Sequence, residues 1–262
     1  MTARFGALYS SPSLRPSIVH CPRPRAGRGV DFPMTEPFHG QVGIFTPASP
    51  KRSRKHAVAR ISQDLRILGH KRFILKSDQE PSIVALKEAI RNERPEDILI
   101  EDSPVGESKS NGTIERAIQE VEGQVRTIKL NLEERLQTKL PYDHHCAGWL
   151  IRYAGSTLRW MTVGPDGRTP YERMRGKRFR KELVEFGENV LYLVPKSRGH
   201  DKGEPRWESG IWLGLRDESM ETFIGTPSGV IKVRGIRRRS DPKDRWNLEE
   251  FNRFRGLPWD PY

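Results

Sequence analysis

Cysteine is nearly absent. Cys21 and Cys146 are the only two in 262 residues, which excludes a disulfide framework and a four-cysteine zinc site. Long apolar runs are missing too: no stretch approaches the roughly 20 residues that a membrane helix needs. No transmembrane segment and no membrane partner are therefore expected. The amino terminus has no apolar centre of the kind a secretory signal carries, so an intracellular protein is expected. Hydrophobic residues make up 35% of the chain and charged ones 31%. The length still suffices for one large domain or two modest ones with real cores. Acids are scarce relative to bases, 34 against 46, and the formal net charge is +12. Such an excess favours polyanions, because each phosphate contact releases condensed counterions. Ribosomal, chromatin and membrane-surface proteins share this bias, so charge alone does not choose among them.

What is present is ordered along the chain in five stretches. Residues 1–39 are rich in Pro, Arg, Ser and Gly, show neither helical nor strand periodicity, and read as mostly disordered. Their prolines argue against the amphipathic helix of a targeting peptide. Residues 40–140 read as an α/β domain. A short strand is expected at Gln41 to Thr46 and a helix at Lys55 to Leu68 with Gly69 as its cap. A strand follows at Arg72 to Lys76, a helix starts at Pro81, and another strand spans Asp97 to Glu101. A Gly/Ser/Pro-rich loop over 102–112 then leads into a long helix. Its Ile114, Ala117, Ile118, Val121, Val125, Ile128, Leu132 and Leu136 recur at intervals of three and four. Residues 141–185 read as a basic connector, helical or irregular. Residues 186–240 hold short strand-like runs between turns, the pattern of a small β-barrel with Trp207, Trp212 and Phe223 in its core. Residues 241–262 read as an exposed tail.

Two acids stand out by position. Asp78 lies just past a predicted strand, and Glu115 lies one turn into the long helix. Strand ends and helix starts gather at one edge of an α/β sheet, where both carboxylates could converge. Hard cations such as Mg²⁺ take oxygen ligands from rigid elements, and two such ions about 4 Å apart can activate one oxygen and stabilise another. Two acids alone would ordinarily be solvated surface groups. Their contexts are more specific: Ser77-Asp78-Gln79-Glu80 after an apolar strand, and Ser110-Asn111-Gly112-Thr113-Ile114-Glu115-Arg116 opening a helix, with 36 residues between the acids.

Those words, their order and that interval resemble the integrase catalytic core of retroviruses and copia-type retrotransposons, part of a Pol polyprotein with a ribonuclease H-like fold. The segments "TPYERMRGKRF" at 169–179, "EFGENVLYLVP" at 185–195 and "SGIWLGL" at 209–215 resemble the copia-type region that follows this core. The resemblance covers roughly residues 40–240. It implies a partial ribonuclease H-like core followed by a small β-barrel-like domain. It implies that Asp78 and Glu115 are the second and third catalytic acids and hold Mg²⁺ or Mn²⁺. It further implies DNA as partner, both retroelement ends and target, with a homo-oligomer and a nuclear location as in integrases. Asn111 and Gly112 would sit in the loop that places the DNA end, with Lys109 and Arg116 as phosphate contacts.

The family's first acid, an Asp on a strand some fifty to sixty residues before the second, has no counterpart in the window around 18–28, which holds no Asp or Glu. Asp31 is the nearest acid. Prolines in that window also disfavour a central strand. An inactive relic, a chain whose first forty residues are unrelated to the core, and an active enzyme using Asp31 all remain open. So does a DNA-binding protein without catalysis, and, further off, a basic structural protein of ribosomes or chromatin.

Other signals carry less. Asp143-His144-His145-Cys146 resembles the palmitoyltransferase signature, but that family's cysteine-rich zinc domain and membrane helices are missing from this sequence. Consecutive residues point in different directions, so His-His-Cys is a poor metal site. The run Arg173, Arg175, Lys177, Arg178, Arg180 and Lys181, with Tyr171 and Phe179 interleaved, could follow a phosphate backbone or be a solvated linker. Arg234, Arg237, Arg238 and Arg239 present the same choice, with nuclear import as a further reading.

Overall fold

The computed structural model describes residues 18–20, 50–68, 72–77, 81–93, 97–102, 112–141, 143–195, 203 and 205–261. The chain divides into two compact units, Met1–Glu120 and Val121–Tyr262.

The first unit is built on a parallel strand pair. β2 (Arg72–Ser77) and β3 (Asp97–Asp102) run side by side with Arg72 opposite Asp97 and Ser77 opposite Asp102. Parallel strands need a crossover, and α2 (Pro81–Glu93) supplies it. Its proline sits at the first helical position, where the missing N–H is not needed. Ile83, Leu86 and Ile90 of α2 are buried. α1 (Pro50–Leu68) contributes Ala57, Val58 and Leu65 to the core with Phe73, Leu75 and Ile98. Ser62 of α1 donates to Glu93 of α2 at 3.0 Å, tying the two helices together. β1 (Ile18–His20) pairs antiparallel with β2, Ile18 opposite Lys76. This strand was not expected in residues 1–39. β-branched Ile18 and Val19 suit it, and it is an outer strand of the order β1-β2-β3. The strand expected at Gln41 to Thr46 and the cap expected at Gly69 lie outside the described residues.

The second unit takes in α3 (Gly112–Leu136) from Val121 onward. α4 (Cys146–Met161) contributes Trp149, Tyr153 and Trp160 to its core. α5 (Pro170–Arg175) precedes a five-stranded antiparallel sheet: β4 (Asn189–Leu193), β5 (Trp207–Leu215), β6 (Thr222–Thr226), β7 (Gly229–Val233) and β8 (Ile236–Arg238). The spatial order is β7-β6-β5-β4-β8. The expected closed barrel is not formed, since β7 and β8 are opposite edges with no ladder between them. The sheet is nonetheless strongly curled. Only Arg234 and Gly235 separate β7 from β8, and three Cα steps span at most about 11 Å. Five strands laid flat would put the outer pair about 19 Å apart. Chain connectivity, rather than pairing, brings the edges together. A bulge at Leu213, between the pairs Trp212–Ile224 and Gly214–Phe223, adds to the bend, with Gly214 at φ +123°.

The tail is not an exposed extension. α6 (Leu248–Arg253) follows a short 3-10 turn (Pro242–Arg245), and its Phe251 together with Phe254 is fully buried in the core. Gly225 of β6 leaves room for the Phe254 ring, which a Cβ there would meet at 2.8 Å. Aromatic burial of this size outweighs the polar character of the surrounding "NLEEFNRF".

Candidate metal and nucleic-acid site

The carboxyl edge of the parallel pair is where ligands gather in α/β sheets. β2 ends at Ser77, so Asp78 is the next residue along the chain. α3 begins at Gly112, so Glu115 falls in its first turn, with Arg116 exposed beside it. Asp78, Lys109, Asn111 and the side chain of Glu115 lie outside the described residues. Among the described residues no group of three His, Cys, Asp or Glu is arranged to hold a metal ion.

The same edge holds a pair that the sequence reading passed over. Asp102 ends β3 directly opposite Ser77, and its carboxylate pairs with the ammonium of Lys87. Lys87 lies within the buried stripe of α2 formed by Ile83, Leu86 and Ile90, and its side chain is itself buried. The signal available was a lysine at core spacing followed by an acid at the next strand end. A buried ammonium is costly without a partner, so Asp102 is committed to Lys87 rather than left open to a cation.

The basic run is largely consumed by the fold. Thr169 and Glu172 form a capping box at α5: the Thr169 hydroxyl accepts from Glu172 N–H at 3.1 Å, and Glu172 accepts from Thr169 N–H at 2.8 Å. Pro170 occupies the first turn, Tyr171 is buried, and Gly176 ends the helix in the left-handed region. "TPYE…G" thus spells a capped helix. The hydrogen bond from Thr169 N–H, and then Arg178, hold the Glu172 carboxyl below its ordinary range. Arg178 donates to Glu172 at 3.0 Å, Arg173 to Asp166 at 3.0 and 2.6 Å, and Arg175 to the Asp217 carbonyl at 2.8 Å. Lys181 donates to the carbonyl of Met220. Lys177 and Arg180 are exposed and make no such bond among the described residues.

The arginines near β8 are likewise engaged. Arg238 grips buried Glu188 through two bonds of 2.8 and 2.7 Å, and Arg237 lies 4.4 Å over the Trp207 ring. Arg239 donates to Ser209 at 2.9 Å, and Arg234 lies 3.5 Å from Glu221. Trp212 is core, as expected, while Trp207 and Phe223 are half-buried and each lies beneath an arginine, Arg237 and Arg152 respectively. In the His-His-Cys run, burial pushes the Cys146 thiol up to about 12, which leaves it a neutral, inert core group.

No family model matches the chain, and no curated protein matches it. Among solved structures it is similar to a chain of a simian T-cell lymphotropic virus intasome in complex with PP2A regulatory subunit B56 gamma. The identity is 14% and the TM-score 0.32, over 72% of this chain and 65% of that one. No helix among the described residues is long and apolar enough to cross a membrane.

Proposed function

We propose that this chain derives from a retroelement integrase, with a ribonuclease H-like core, and that it binds DNA and takes part in its integration. One observation carries the reading: β2 ends one residue before Asp78, and α3 opens three residues before Glu115. Each acid therefore follows or begins a rigid element, as a pair of metal-holding carboxylates requires. The parallel β2-α2-β3 unit and the net charge of +12 are in keeping with it.

In this reading Asp78 and Glu115 hold Mg²⁺ or Mn²⁺, and their oxygens fit such an ion in type. The bound ion would supply charge stabilisation during attack of water or a 3′ hydroxyl on a phosphodiester. The chain's own share is to orient the DNA end through Lys109, Asn111, Gly112 and Arg116, with Lys177 as a further phosphate contact. Arg175 and Arg178, which are exposed while bonded to the Asp217 carbonyl and to Glu172, are further phosphate contacts in this reading. Nuclear location and homo-oligomerisation are part of the same proposal.

A second reading, a DNA-binding descendant without catalysis, is favoured by a specific feature. β1, which flanks β2 on the side away from β3, consists of Ile18, Val19 and His20 and brings no carboxylate to the pair. Divalent-metal-dependent nicking of DNA that is abolished by either Asp78→Asn or Glu115→Gln would support the enzyme. DNA affinity that falls steeply with salt yet ignores both substitutions, with no nicking, would support the binding protein. Absence of any salt-sensitive DNA binding would sink both.

A further inference from the structure

The join between α4 and the carboxy-terminal segment is made by two stacked histidines. His144 and His145 lie with ring centroids 4.1 Å apart. His144 stacks on Phe251 at 5.4 Å, and His145 meets the edge of Phe254 at 4.3 Å. These are the two tail aromatics that are fully buried. Further contacts continue the docking. Trp149 Nε1 donates to the Gly256 carbonyl at 2.9 Å, Arg255 N to Thr226 O at 3.0 Å, and Val230 N to Pro261 O at 2.6 Å.

Both imidazoles are half-buried against the tail, and local geometry favours their neutral form. Nδ1 of His144 accepts the N–H of Cys146 at 3.2 Å, a bond that an imidazolium cannot accept. Nε2 of His145 is buried with no hydrogen-bond partner, so a proton arriving there would be an unpaired buried donor. His145 also occupies the position before the first turn of α4, without a side-chain capping bond, where the helix end is partially positive and disfavours a cation.

We propose that His144 and His145 form an acid-sensitive latch, holding residues 248–261 against α4 and β6 while neutral and releasing them when protonated. Arg255 of the tail opposes protonation of both rings and His144 opposes that of His145, while hydrogen bonds to Asn252 at His144 and to the Phe254 backbone at His145 act the other way. Asp143, on the rings' own segment, is exposed and favours protonation of His144. Lys129 of α3 faces Cys146 and is itself paired with Glu133. Burial, followed by His144 and Arg255, holds His145 down to about 4, and burial lowers His144 as well. The sign follows from those depressed values. Undocked histidines take up protons from about pH 6.5 downward, and docked ones resist. Docking is therefore unaffected above that pH and loses ground as the pH falls from there toward 4.

Amide hydrogen exchange on the full chain, read by mass spectrometry and corrected for intrinsic rates, tests this. Protection of residues 248–261 should fall at least about tenfold between pH 7 and pH 4.5, while protection in β4–β6 persists. A His144→Gln/His145→Gln variant should keep tail protection nearly equal at both pH values. Should that variant not fold, Arg255→Gln gives the same test, since removing the facing cation should move release to lower pH. Tail protection that does not change with pH, that falls equally with the sheet, or that keeps its full pH dependence in these variants would overturn the latch.

Discussion

The ammonium of Lys87, buried in the apolar stripe of α2, is paired with the carboxylate of Asp102 at the end of β3. The two partners are unequal, because Asp102 is 43% exposed and Lys87 is not. Removing the acid should hurt more than removing the base. Asp102→Asn is expected to cost on the order of 2 kcal/mol, less than for a fully buried pair, because the stranded ammonium can be partly hydrated. Lys87→Met, which keeps the volume and removes the charge, should be near neutral or stabilising. Hydrogen exchange of residues 72–102 in rising urea would separate the two, and equal losses would refute the asymmetry.

Gly187 connects Phe186 to β4 at φ +86°, and a Cβ there would meet Leu132 Cδ1 at 2.5 Å and Phe251 at 3.2 Å. Backbone strain and overpacking both act, so Gly187→Ala should destabilise the second unit by about 3 kcal/mol. In a Leu132→Ala background the clash at 2.5 Å is removed and only the tighter approach to Phe251 and the backbone strain remain, so the same substitution should cost about 1.5 kcal/mol. Thermal unfolding of the four-member cycle measures the coupling. Additive losses would show that the close approach to Leu132 does not matter.

Glu133 is buried in α3, which by itself raises its pKa. Hydrogen bonds from Lys129, from Leu140 N–H at 2.9 Å and from Lys139 at 3.1 Å more than reverse this, and the carboxyl sits below its ordinary value. A depressed carboxyl contributes stability that is fully present above the unfolded value near 4.5 and is lost as the pH falls through the folded one. Glu133→Gln should therefore be less stable than the parent at pH 7, with the gap narrowing below about pH 4.5. Denaturant midpoints from pH 7 to pH 3 test it, and a constant gap would count against the ion pairs.

Much of the architecture was legible because apolar periodicity is a local signal. The helices α1, α2 and α3 and the strands β2 to β7 follow it closely. What escaped was non-local. "GVIKVRGIRRR" reads as one strand run, yet Arg234-Gly235 splits it into β7 and β8 on opposite edges, and only the sheet order reveals that. Phe251 and Phe254 sit among charges, so nothing nearby announces that Gly187 and Gly225 leave room for their rings. The cations of 173–181 look free for phosphate because their acceptors, Asp166 and the carbonyls of Asp217 and Met220, lie up to 42 residues away. At the candidate site, the positions of Asp78 after a strand and Glu115 in a first helical turn were readable from turn and helix-start chemistry. Lys87 was not read, because a lysine within an apolar stripe ordinarily means a solvated flank.

The three residues of β8 have a consequence for solubility. Ile236, Arg237 and Arg238 cover the outer side of β4, whose Asn189–Leu193 is short, apolar and otherwise an open ladder. Without β8 that ladder would lie open to any passing strand, including another copy of the chain. The arginines of β8 thus act as gatekeepers against aggregation, whatever they do for a nucleic acid.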